Sequence, residues 1–141
     1  MALVHEFTIF ENEETIDYNN ETKKHMIKID DYLILYLSDS LNWVPSHWEN
    51  MSNQKEGLNY YGTTIFDELG IKKFLNIIKS WKNLFENAPD IIELSTEVLV
   101  EGGAYLKEKV ETRKILKQLD ALISLSENTL IDNVLLVHFG I

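Results

Sequence analysis

The stretch GLNYYGTTIFDELGIKKFLNIIKSWKNLFEN, residues 57–87, decides the fold. Its first part, Gly57 to Phe66, is β-branched and aromatic and predicts a half-buried strand. A turn is expected at Asp67 to Gly70. Beyond it Ile71, Phe74, Leu75, Ile78, Trp81 and Phe85 recur at helical spacing, which predicts an amphipathic helix to Asn87. A strand feeding a helix across a short turn is the nucleus of a two-layer domain.

Upstream, Leu3 to Phe10 reads as a strand with Leu3, His5, Phe7 and Ile9 on one face and Val4, Glu6, Thr8 and Phe10 on the other. Thr15 to Tyr18 suggests a short return strand, and Asn19-Asn20 a turn. Asp30-Asp31 suits a helix N-terminus, where acids accept from free N–H groups. Leu33, Leu37 and Leu41 then stack at i, i+4, i+8, so a helix over Asp31–Leu41 is preferred to a central strand over Tyr32–Leu37. Asn42 to Glu56 reads as a long connection holding Trp43, Pro45, His47 and Trp48. Its tryptophans either fold onto the core or form an exposed recognition patch.

Downstream, Ala88-Pro89 ends the long helix. Ile92, Leu94, Thr96, Val98 and Val100 alternate with Glu93, Ser95 and Glu97, which predicts a strand. Gly102-Gly103 suits a two-residue hairpin turn into a return strand over Ala104–Lys109. Ile115, Leu116, Leu119, Leu122 and Ile123 form the stripe of a third helix, starting near Glu111-Thr112 and ending at Ser126–Asn128. Val134 to Ile141 reads as a buried terminal strand. The expectation is one α+β domain over residues 1–141, with a mixed or antiparallel sheet and about three helices packed on it.

The net charge of −10 is unevenly placed. Residues 1–70 hold thirteen acids and four lysines, a net of −9, whereas residues 71–141 hold ten acids and nine bases. Such a surface repels phosphate backbones and anionic lipid, so nucleic acid and membranes are poor partners. It steers a basic protein inward. The chain has no cysteine, which excludes disulfides and thiolate chemistry. No signal peptide and no membrane-length apolar run is read, which points to a cytoplasmic protein.

The motifs of nucleotide binding and of serine hydrolases are absent, and no cofactor is called for. The histidines, His5, His25, His47 and His138, lie too far apart in sequence for a local metal pair. His5 and His138 meet if their strands pair, although a histidine satisfied by a backbone carbonyl is the expected state. Glu13-Glu14, Asp30-Asp31 and Asp67-Glu68 are candidate acid/base pairs, but 23 acids generate such pairs by chance. On a strand, Tyr60 and Tyr61 would point to opposite faces, one into the core and one out.

Leu58-Asn-Tyr-Tyr-Gly-Thr-Thr-Ile65, the helix with Trp81 and Phe85, Ala88-Pro89 before a strand, and the ending Val137-His-Phe-Gly-Ile resemble bacterial immunity proteins of polymorphic toxin systems. The family they most resemble is immunity protein 70, over roughly residues 57–141. The resemblance implies a non-enzymatic protein that binds a cognate toxin domain and occludes its active site. A basic toxin, such as a nuclease, suits the acidic chain. By residue type the candidate contacts are Trp43, Trp48 and Tyr61 as anchors, with Glu11, Glu13, Glu14 and Asp17 as a steering rim. A regulatory or scaffold domain ranks second, and a small carboxylate- or histidine-dependent hydrolase third.

Overall fold

A computed structural model describes residues 3–18, 26–99 and 101–141, with residues 96–99 described by backbone alone. The strands are β1 (Val4–Phe10), β2 (Ile27–Asp30), β3 (Pro45–Trp48), β4 (Gln54–Glu56), β5 (Thr63–Phe66), β6 (Ile91–Leu99), β7 (Tyr105–Glu111) and β8 (Leu135–Phe139). The helices are α1 (Asp31–Leu41), α2 (Glu68–Phe85) and α3 (Thr112–Asp132). Six strands form one sheet in the order β2-β1-β8-β5-β3-β4, and β6 and β7 form a separate hairpin. The fold is α+β, and of the two sheet types expected the antiparallel one is found in every described pairing.

Alternation along the strands gives the sheet two apolar faces. Phe7, Ile29, Phe66 and Leu136 face the helices and pack with Leu33 and Leu37 of α1, Ile71, Phe74 and Ile78 of α2, and Ile115, Leu119 and Leu122 of α3. Phe10, Val137 and Phe139 face the other way. A single helix layer leaves that second face uncovered. In the described parts of the connection from β1 to β2, Ile16 and Met26 pack on Phe10, Val137 and Phe139. Burying such side chains stabilises by about 1.5–3 kcal/mol each, enough to fasten the connection as a strap.

Several elements differ from the sequence expectation. Thr15–Tyr18 is not a strand: Glu13–Thr15 forms a 3-10 turn capped by Asn12, and the strand returning along β1 is β2. The turn expected at Asn19-Asn20, and His25, lie outside the described residues. The connection over 42–56 contains the β3–β4 hairpin, with Pro45 as the first residue of its strand, where a missing N–H costs least. Only Thr63–Phe66 of the 57–66 segment is strand. Asp67 to Gly70 is no free turn but the start of α2, with the Asp67 carboxylate accepting from the Gly70 N–H at 3.1 Å. Asp30 and Asp31 flank the start of α1 without capping it by side chain. Asp30 instead accepts from Gln118 Nε2 at 2.8 Å and Lys114 Nζ at 3.2 Å, clamping α3 to the β2–α1 corner. α3 runs past the expected end to Asp132 and closes on Asn133 in the left-handed region.

The chain end is held tightly. Gly140 N–H donates to Gly62 O at 2.8 Å, and Ile141 N–H to Tyr60 O at 3.1 Å. A Cβ on Gly140 would collide with the Tyr60 carbonyl, which is backbone and cannot rotate away. Gly140→Ala should therefore lower stability by about 1–3 kcal/mol, the usual cost of overpacking, read as a fall in the urea midpoint. An unchanged midpoint would mean that the 59–62 turn shifts freely.

Candidate functional site

The strap carries the acids nominated from sequence. Glu11, Glu13, Glu14 and Asp17 are all exposed on it. Apolar anchoring through Ile16 leaves these neighbours pointing outward. The Glu13 carboxylate also accepts from the Met51 N–H at 3.1 Å, tying the strap to the β3–β4 turn. Beside that turn Glu49 adopts φ 68°, a left-handed backbone uncommon for a residue with a Cβ. This places its carboxylate against Thr63 N–H at 3.0 Å and Asn59 Nδ2 at 2.9 Å.

Glu49 thereby grips one side of a turn, residues 59–63, that closes with Gly62 N–H on Asn59 O at 3.1 Å. From below, Asn59 N–H donates to Thr64 Oγ1 at 2.8 Å. From the third side come Gly140 and Ile141. Tyr61 stands at its apex with 80% of its surface exposed. Tyr60 turns inward, and its hydroxyl donates to Asp31 Oδ1 at 2.6 Å. The strand argument for opposite orientations does not apply, since both residues lie in the turn; the inward pull on Tyr60 comes from Asp31.

Beneath the turn lies a buried side-chain relay. His5 Nε2 is 2.8 Å from Asp31 Oδ1, His5 Nδ1 is 2.8 Å from His138 Nε2, and His138 Nδ1 is 3.1 Å from Thr64 Oγ1. His5, His138 and Thr64 are fully buried. Their partners are side chains, and the backbone carbonyls expected from sequence are not used. Donors and acceptors match in a single direction. The carboxylate accepts, so His5 carries its hydrogen on Nε2 and accepts on Nδ1. His138 then donates from Nε2 and accepts on Nδ1 from the Thr64 hydroxyl. Both imidazoles are neutral in this arrangement. Burial pushes His5 below its ordinary value of 6.5, against the pull of Asp31. Burial and the neighbouring His5 push His138 down to about 3.

The relay joins β1, β8, β5, α1 and the 59–63 turn, and neither of its imidazoles is exposed to solvent. Nor does any group of three or more described His, Asp or Glu side chains stand ready for a metal ion. Its geometry suits bracing. In the Asp67-Glu68 pair both acids are likewise occupied: Asp67 takes His47 Nε2 at 3.1 Å besides its helix N–H, and Glu68 pairs with Lys72 Nζ at 2.8 Å. Burial raises the Asp67 carboxyl, but Gly70 and His47 bring it below the usual carboxylate range.

The two tryptophans separate. Trp48 is half-buried in β3, its indole N–H on Gly57 O at 3.1 Å. Trp43 is 67% exposed beside a groove lined by Ile77, Trp81 and Leu84 in the helix layer. Of the strap acids Asp17 comes near the 59–63 turn: a hollow of about 520 Å³ is lined by Asp17 and by Gly62 and Thr63, which follow Tyr61, whereas Glu11 lines a separate hollow with Asp67 and Glu68. Glu6 and Glu49 line the Asp17 hollow too and were missed from sequence. Glu6 carried the outward face of β1 as its only signal, and Glu49 carried none.

Neutral buried imidazoles set the acid response. The unfolded chain takes up protons near pH 6.5, while the folded one resists. Stability is thus full above about pH 6.5 and falls as pH drops, by up to about 1.4 kcal/mol per pH unit for each imidazole. For His138 the window runs from 6.5 down to about 3. Urea midpoints should decline between about pH 7 and pH 5, and His138→Gln should flatten that decline. Equal slopes in the two proteins would refute the neutral relay.

The chain matches no protein-family model, no curated protein and no solved structure, and this geometry carries the functional reading.

Proposed function

We propose that this protein is a non-enzymatic immunity protein that binds a basic bacterial toxin domain and occludes its active site. The observation that carries the reading is the exposed Tyr61 on a turn whose backbone is fixed, next to a hollow lined by the carboxylates Glu6, Asp17 and Glu49. Acids on a surface raise the encounter rate with a basic partner, and an aromatic held in one conformation supplies short-range affinity. The backbone of Tyr61 loses little freedom on binding, because the 59–63 turn is fixed from three sides. The resemblance of residues 57–141 to the immunity protein 70 family supports the same role. Among the described residues no helix is long and apolar enough to cross a membrane. A regulatory or scaffold domain would use this surface with a partner that is not toxic.

Co-expression with the product of the adjacent reading frame, followed by pull-down and growth measurement, tests the proposal. A stable complex and restored growth are expected. Growth arrest that persists, with no complex, would reject it. In the complex, reversing Glu11, Glu13 and Glu14 to Lys should slow association about tenfold at low salt and flatten its salt dependence. Stopped-flow rates that stay the same would remove the strap from the encounter.

A further inference from the structure

The 59–63 turn is a ridge between two hollows of opposite character. On one side Tyr60 and Tyr61 join Leu58 and the α1 residues Leu35 and Leu41 around a hollow of about 340 Å³. Its walls are uncharged, aliphatic and aromatic apart from Ser38, Asn42 and the tyrosine hydroxyls; Ser38 Oγ donates to Leu35 O at 2.9 Å, and the Tyr60 hydroxyl to Asp31. On the other side Gly62 and Thr63 join Glu6, Asp17, Glu49 and Phe139 around the acidic hollow. Tyr61, on one hollow, and Gly62, on the other, are consecutive residues, so the hollows are neighbours across the ridge.

One atom in the acidic hollow points to a ligand. Glu6 Oε2 is buried and has no hydrogen-bond partner, while Oε1 takes only a long bond of 3.4 Å from Tyr18. A buried carboxylate oxygen without a donor is costly, by about 1–3 kcal/mol or more. Lys28 stands opposite Glu6 on β2, exposed, and forms no ion pair with it. The Phe139 ring lines the same hollow. A carboxylate wanting a donor, beside an aromatic ring, suits the end of a long cationic side chain.

We infer that the ridge recognises a partner segment bearing a Lys or Arg side chain close in sequence to a large apolar one, with the cation against Glu6 and Glu49 and the apolar group beside Tyr61 in the Leu58 hollow. A spacing of two residues in an extended segment spans the ridge. The inference rests on the binder reading and adds the motif that the partner presents. Arg is the stronger form, because its planar fork satisfies two carboxylate oxygens at once.

Backbone amide NMR with small probes tests it on the intact chain. N-acetyl-arginine amide should shift Gly62, Thr63 and Gly140, and N-acetyl-phenylalanine amide should shift Asn42, Leu58 and Tyr60. A capped peptide carrying both side chains two residues apart should bind at least about tenfold tighter than either probe. Glu6→Gln should weaken the arginine probe several-fold and leave the phenylalanine probe unchanged; Asp17→Asn serves if the first variant does not fold. Arginine-induced shifts spread over all surface acids, a joined peptide no tighter than its parts, or indifference to Glu6→Gln would overturn the inference. A toxin complex that forms and survives Glu6→Gln and Tyr61→Ser would overturn it while leaving the binder reading intact. Localised probe binding without any toxin complex would uphold the ridge and reject the toxin.

Discussion

The Asp31–His5–His138–Thr64 relay is the interaction on which the rest depends. Its members come from α1, β1, β8 and β5, so the sheet and α1 are in register only when the relay is closed. A buried polar group without its partner costs about 1–3 kcal/mol, more than a satisfied one contributes. Each member is thus conditional on the next. Leucine pairs at these positions would be neutral to small shifts, but a directional chain of donors and acceptors is not. The relay also reaches the surface through Tyr60, and so transmits its order to the one turn that displays Tyr61.

The acidity of the first half belongs to a second constraint. A six-stranded sheet with helices on one face exposes Phe10, Val137 and Phe139 on the other. The described part of the strap meets this with few apolar residues, chiefly Ile16 and Met26, and keeps Glu11, Glu13, Glu14 and Asp17 exposed. Like charges placed this densely repel one another, which disfavours the compact state. The structure offsets that at single points, such as Glu13 on the Met51 N–H and Glu49 on Thr63 N–H, where carboxylates accept from backbone donors. At the sheet's edge, β4 is short and wholly exposed and reads Gln-Lys-Glu, a composition that discourages pairing with other chains.

What was legible in the sequence follows how local each cause is. α1 matches its expected bounds, because leucines at i, i+4, i+8 report the helix face directly. The Gly102-Gly103 turn was legible in part: both glycines take positive φ, 97° and 82°, but the connection between the paired Leu99 and Tyr105 is longer than the two residues expected. The end of α3 was misread because Ser126–Asn128 looks like a terminator, yet the Ser126 hydroxyl bonds back to Leu122 O and the helix continues. The 57–62 segment has strand propensity but no strand partner, since Gly140 and Ile141 hold it as a turn from 80 residues away. The contact of His5 with His138 required the β1–β8 pairing and its register, and neither is written in either segment. Among the nominated site residues, charge and exposure of the strap acids were readable, whereas the addition of Glu6 and Glu49 depended on how the hairpin and strap converge.

A buried histidine pair beside an aspartate invites a catalytic reading, and the geometry weighs against it. A catalytic imidazole must present one nitrogen to a reacting group within hydrogen-bond reach. In this relay all four ring nitrogens are engaged within the protein, and both rings are fully buried. Freeing a nitrogen would break the chain that holds the turn, so chemistry at the relay and a fixed Tyr61 exclude each other. The same groups that a hydrolase would use to move protons are used here to hold a loop still. The docking proposed for the ridge would draw on that stillness, because a backbone already fixed loses little freedom when a partner arrives.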